Sequence, residues 1–147
     1  MKFKLLIALS FTFILSSCSL DNESNVENEN QDVIFYTWHL VKTEGGIAGI
    51  NDPFDLDTVI WSFDELNGIL EIENNNDDDT KQDLLDSGTY NFSISTISGE
   101  NFIFIDNVEY GEINIGTSTF TIDENNKTDS QGADGFIYTF QKVESIL

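Results

Sequence analysis

From residue 33 onward, apolar and polar side chains alternate with a period of two. Ile34, Tyr36, Trp38 and Leu40 fall on one side of the chain and Phe35, Thr37, His39 and Val41 on the other, which is the pattern of a strand with one strongly apolar face. The same alternation recurs and predicts strands at 33–41, 58–64, 69–73, 88–95, 102–106, 108–115, 118–123 and 136–143. Turn chemistry separates them: Glu65-Leu66-Asn67-Gly68 reads as a hairpin turn, since Asn67 and Gly68 both tolerate positive φ, Ser98-Gly99 and Asp106-Asn107 as further turns, and Gly111 as a bulge. Residues 42–57 carry Gly45-Gly46, Gly49 and Pro53 and read as a long connection, folded back as a lid through Ile47, Ile50 and Phe54. No segment shows a helical period. Eight strands joined mostly by hairpin-length turns predict an all-β domain, an eight-stranded antiparallel up-and-down barrel, because closure removes the unpaired edges that otherwise aggregate. A two-sheet sandwich is the competing arrangement.

The first 32 residues follow other rules. Lys2 and Lys4 precede a predominantly apolar run over 5–15, which has the length of a signal-peptide core and is too short to span a bilayer. The run ends in Leu15-Ser16-Ser17-Cys18, which resembles the lipobox of bacterial lipoproteins: an aliphatic residue, two small residues, then the cysteine that is lipidated. That resemblance implies removal of 1–17, acylation of Cys18 (palmitate among the chains) and attachment to a membrane through Cys18. Residues 18–32 are acidic and polar without periodicity and predict a flexible tether, leaving 33–147 as one domain. Ser19 after the cysteine resembles lipoproteins sorted to the outer membrane, on its periplasmic or cell-surface face.

Charge narrows the partners. The chain of 147 residues has a formal net charge of −21 and no arginine. Lys2 and Lys4 are the only charged residues of the signal, so its removal makes the mature protein more acidic still. Phosphate neutralisation drives nucleic-acid binding, so the composition predicts no nucleic-acid partner. Twelve Phe, four Tyr and two Trp supply enough aromatic material to build a core without disulfides. The single cysteine makes no internal disulfide, and lipidation caps its thiol.

Several stretches together resemble the short lipocalin-like domains of Bacteroidota lipoproteins: Trp38-His39-Leu40-Val41 after an acidic tether, Trp61-Ser62-Phe63 running to Asn67-Gly68, Gly88-Thr89-Tyr90-Asn91-Phe92, and the closing Tyr138-Thr139-Phe140-Gln141-Lys142-Val143. The resemblance implies an eight-stranded meander and small-ligand binding. Two features depart from it. The opening Trp38 lacks a preceding glycine, and the arginine that lipocalins pack across that tryptophan from the last strand is missing, which leaves Lys142 as its candidate replacement.

The chemistry-bearing residues point away from catalysis. His39 is the only histidine and reads as a half-exposed strand residue without a nucleophile motif. Asp77-Asp78-Asp79 with Asp83 and Asp86, and Asp123, Asn125 and Asp129, read as solvated loops, since neither set matches a calcium loop. No catalytic residue, metal or cofactor is therefore expected. The expected role is non-enzymatic binding of a small apolar or amphipathic ligand by Trp38, Trp61, Tyr90, Phe92, Phe102, Phe104, Tyr138 and Phe140. Such a cavity is expected near Trp38, Trp61 and Phe140 beneath the 45–57 lid. The alternative is a solid barrel that docks an envelope protein or inhibits a basic enzyme.

Overall fold

The computed structural model describes residues 34–129, 132 and 134–146. The expected signal peptide, Cys18 and tether lie outside the described residues. The chain forms β1 (Ile34–Gly45), β2 (Ile50–Pro53), β3 (Val59–Asp64), β4 (Ile69–Asn74), β5 (Gly88–Ile97), β6 (Glu100–Ile105), β7 (Val108–Ile115), β8 (Thr119–Asp123) and β9 (Phe136–Ile146). Each strand from β3 onward pairs antiparallel with the next, and β1 pairs along its length with β9, closing the sheet.

Nine segments make an eight-stranded barrel because β2 and β3 share one strand position. Trp38 and His39 of β1 face β3, while Lys42 to Gly45, further along the same edge, face β2. The eight-stranded antiparallel barrel expected from the alternation is thus the observed one, and its shape is lipocalin-like in general, as the resemblance implied.

Two bulges curve the wall. Along β1 the register against β9 slips between Leu40 and Lys42, so that Trp38 and Leu40 point inward and, one residue out of phase, so does the fully buried Thr43. In β7 the slip falls opposite Ile103 and Phe104, at Tyr110-Gly111, where Gly111 takes φ +137°. A Cβ at Gly111 would lie 2.1 Å from the Asp123 carbonyl oxygen, so β8 can approach only because no side chain is present.

The tight turns follow local chemistry. Ser98-Gly99 and Asp106-Asn107 have positive φ at both positions and join their strands as two-residue hairpins. Between β3 and β4, of the Asn67-Gly68 pair only Gly68 has positive φ. The turn expected over 65–68 is the observed four-residue loop, in which Asp64 Oδ1 accepts the Asn67 amide at 3.1 Å and Asp64 Oδ2 its side-chain Nδ2. Those bonds, the side-chain one first, hold the exposed Asp64 carboxyl below its ordinary pKa.

The segment expected to be a lid over 42–57 is a β-hairpin. Its glycines supply turn geometry between β1 and β2, and Gly46 N donates to Gly135 O at 3.0 Å. The chain then leaves the sheet at Phe54, whose ring is buried in the core, and rejoins it at Val59. That excursion covers His39, which is 4% exposed rather than half-exposed. His39 Nδ1 donates to the Leu56 carbonyl, and its Nε2 lies 2.8 Å from Thr37 Oγ1. Because a carbonyl only accepts, Nδ1 carries the proton and Nε2 receives the Thr37 hydroxyl.

Candidate functional site

The barrel interior has three layers. One end is plugged by the long connections. Phe54, Leu84, Leu85, Tyr110 and Phe136 pack on the core there, and Thr43 Oγ1 donates to the Gln82 carbonyl at 2.7 Å. The acidic 74–86 connection is therefore only partly solvated, since its two leucines seal the barrel. Burial raises the pKa of the Tyr138 and Tyr110 hydroxyls beside it.

The middle layer is solid. Trp61 and Phe140 are both 0% exposed. The Phe140 ring stacks on Phe120 at 4.4 Å between centroids and 14° between planes, and lies 4.7 Å from Trp61. The cavity expected around Trp61 and Phe140 is thus filled by their own rings. Trp61 Nε1 is buried without a hydrogen-bond acceptor among the described residues, so the aromatic layer leaves one polar group unsatisfied.

At the other end, where β1 begins, the barrel opens into a cup of about 770 Å³. Its floor is Trp38, Phe63 and Phe120, with Trp38 edge-on to Phe120 at 4.9 Å between centroids. Its walls are Phe92 and Ile94 from β5 and Ile113 from β7. Phe92 meets Phe63 edge-on at 4.9 Å. Tyr36, Ile115, Thr117 and Glu65 stand at the mouth. All three connections at this end are short turns, so none of the described connections plugs it.

Lys142 also lines the cup. On β9 the inward series Tyr138, Phe140, Lys142 runs from the plug through the solid layer to the cup, and the exposed Glu144 follows with the same parity. Its Nζ lies 4.0 Å above the centre of the Tyr36 ring and 4.0 Å from Glu144 Oε1. The cation–π contact expected at Trp38 is therefore made with Tyr36, the inward neighbour one step closer to the mouth.

Of the eight aromatic residues singled out by sequence, Trp38 and Phe92 line the cup. Trp61 and Phe140 form the layer beneath, and Tyr138 lies in the core beyond them. Tyr90 packs at the core's edge, with its hydroxyl donating to the Asp86 carbonyl at 2.9 Å. Ile103 and Ile105 take the inward places on β6, so Phe102 and Phe104 face outward. Phe102 is nonetheless only 3% exposed. Beside it, the β8–β9 connection runs along the outer wall, bonded through Asn126 to Glu112 and through Thr128 to Glu109, the residues paired with Phe102 and Phe104.

Sequence reasoning missed Tyr36, Phe63, Ile94, Ile113, Ile115, Phe120, Glu65 and Thr117 as lining residues. The usable signal was parity combined with position, because each strand-borne member is an inward residue at the same end of its strand. Among the described residues no group of three or more His, Cys, Asp or Glu side chains is placed to hold a metal ion. A closed barrel with an apolar cup at one end is a shape compatible with holding a small ligand. No protein-family model, no curated protein and no solved structure matches the chain.

Proposed function

We propose that this protein is a lipid-anchored lipoprotein of a bacterial outer membrane, similar to the lipocalin-like lipoproteins of Bacteroidota. Its barrel binds a small apolar or amphipathic molecule without chemical change. The observation that carries the binding role is the cup above the Trp38–Phe63–Phe120 floor: about 770 Å³, apolar in its depth and polar only at the mouth. That volume lies within the range of small-molecule sites, roughly 300–1,000 Å³. The anchoring role is supported by the sequence alone, through Leu15-Ser16-Ser17-Cys18 at the end of the apolar run.

Two measurements test these roles separately. Ile94 is part-exposed in the cup wall, so Ile94→Trp fills the cup with little disturbance of the core. Titration with a neutral apolar fluorophore is expected to show affinity about tenfold weaker in this variant, roughly 1.4 kcal/mol, at an unchanged unfolding midpoint. Equal affinity would place the binding elsewhere. For the anchor, Cys18→Ala is expected to abolish labelling by radioactive palmitate and leave the precursor unprocessed; unchanged labelling would end the lipoprotein reading.

A second reading draws on Leu66, Ile97 and Ile115, which are exposed on turns and strand ends around the mouth. Exposed apolar groups clustered at one end suit docking of another envelope protein. Crosslinking from the mouth in intact cells to one protein, with no small molecule co-purifying, would favour it.

A further inference from the structure

The cup is apolar, yet one strand-borne cation enters it. Lys142 occupies an inward position of β9, directly after two fully or nearly fully buried aromatics in the same series. An inward lysine in a barrel this acidic calls for an explanation beyond solubility. Surface lysines serve solubility equally well, whereas a lysine at an inward position removes volume and hydration from an ammonium.

Its described partners hold it loosely. The Glu144 carboxylate is 4.0 Å away and largely exposed, which is beyond hydrogen-bond distance, and the Tyr36 ring offers a cation–π contact at 4.0 Å. Lys142 is 25% exposed, at the level where the apolar wall gives way to the mouth. The ammonium therefore has N–H donors available to an anion while its stem lies along the wall. Among the described residues, Glu65 lines the cup and Glu144 approaches the ammonium, and both are exposed to solvent.

We infer that the ligand is an amphiphile with an apolar body and a single anionic head, the body resting on the Trp38–Phe63–Phe120 floor and the head paired with the Lys142 ammonium at the mouth. This rests on the cup being the binding site, as proposed above. The head displaces Glu144 as the partner of Nζ and leaves the Tyr36 contact in place. Charge-assisted N–H···O pairing at about 2.7–2.9 Å then replaces a 4.0 Å approach. Lys142 is the one cation among the described residues lining the cup, so an anionic amphiphile is held in one orientation, head outward.

The test is calorimetric titration of the purified full chain with decanoate, decan-1-ol and decyltrimethylammonium, which share a body and differ in head. Decanoate is expected to bind at least tenfold more tightly than the alcohol, with the preference shrinking as salt is raised. Lys142→Met keeps the length of the side chain and removes the charge. It is expected to bring decanoate to within about twofold of the alcohol and to abolish the salt dependence of the preference. Equal binding of decanoate and alcohol by the native chain would overturn the inference and leave the cup reading standing, as would tighter binding of the cation. A decanoate preference that survives Lys142→Met would also overturn it. Binding of none of the three would sink both.

Discussion

Phe140→Ala is expected to lower the unfolding free energy by about 3–5 kcal/mol, the cost of removing a fully buried phenylalanine from a core that cannot close over the gap. The position leaves little room for relaxation. Phe140 is stacked on Phe120 and tilted against Trp61, and both neighbours are themselves buried. The backbone at Phe140 is fixed on one side by Leu40 and on the other by the Phe120 strand. Beyond the lost burial, two aromatic contacts disappear, each worth about 0.5–1.5 kcal/mol. For a domain of this size the unfolding midpoint should fall by roughly 10–20 °C. Urea unfolding followed by tryptophan fluorescence measures it. A loss below about 1 kcal/mol would show that the middle layer is loosely packed, and the distinction between a solid layer and an open cup would collapse.

Gly111→Ala is the second large effect. The substitution adds one methyl group, yet the loss expected is about 3–5 kcal/mol. Two terms contribute. At φ +137° any L side chain is strained, by about 1–3 kcal/mol. The new Cβ also meets backbone atoms only: the Asp123 oxygen at 2.1 Å, its carbonyl carbon at 2.7 Å and Glu124 Cα at 3.1 Å. No flexible side chain can swing aside, so β7 and β8 must separate where Glu112 pairs with Asp123. Gly99→Ala is the control. It also has positive φ, at +96°, but its Cβ would meet nothing within 4 Å, so the expected cost is about 1 kcal/mol. Denaturant midpoints of the two variants, measured side by side, separate strain from collision. Equal costs would mean that the β7 bulge does not need the close approach of β8.

The fold was legible because period-two alternation and turn residues act locally. All eight expected strands are present, and the bulge expected at Gly111 is where the register slips. β2 was not legible, because Gly45-Gly46, Gly49 and Pro53 read as breakers. Here the glycines supply the positive φ of a turn, and Pro53 ends a short strand paired on β1 alone, where no sheet interior demands its missing N–H. His39 misled for a related reason: alternation correctly put it on the outer face, but only the tertiary path of residues 54–58 buries that face.

The site was legible in parity and illegible in depth. Alternation marks Trp38, Trp61, Phe140 and Lys142 as inward, but sequence does not fix the stagger of neighbouring strands, and stagger decides which inward residues share a layer. Trp38 and Trp61 are register partners across β1 and β3, yet one lines the cup and the other lies in the layer beneath. On β6 side-chain size pointed to the phenylalanines, whereas the barrel takes Ile103 and Ile105 inside and leaves Phe102 and Phe104 without.

The plug of Phe54, Leu84 and Leu85 has a kinetic consequence. A vessel sealed at its base has one doorway, so an occupant must leave before its successor can enter. For a ligand held in the cup as proposed, exchange is then dissociative: no newcomer pushes from behind, and its residence time is set by its own grip on the floor and the mouth. The long connections at the sealed end never meet that traffic, and their length can drift without changing how fast the vessel empties.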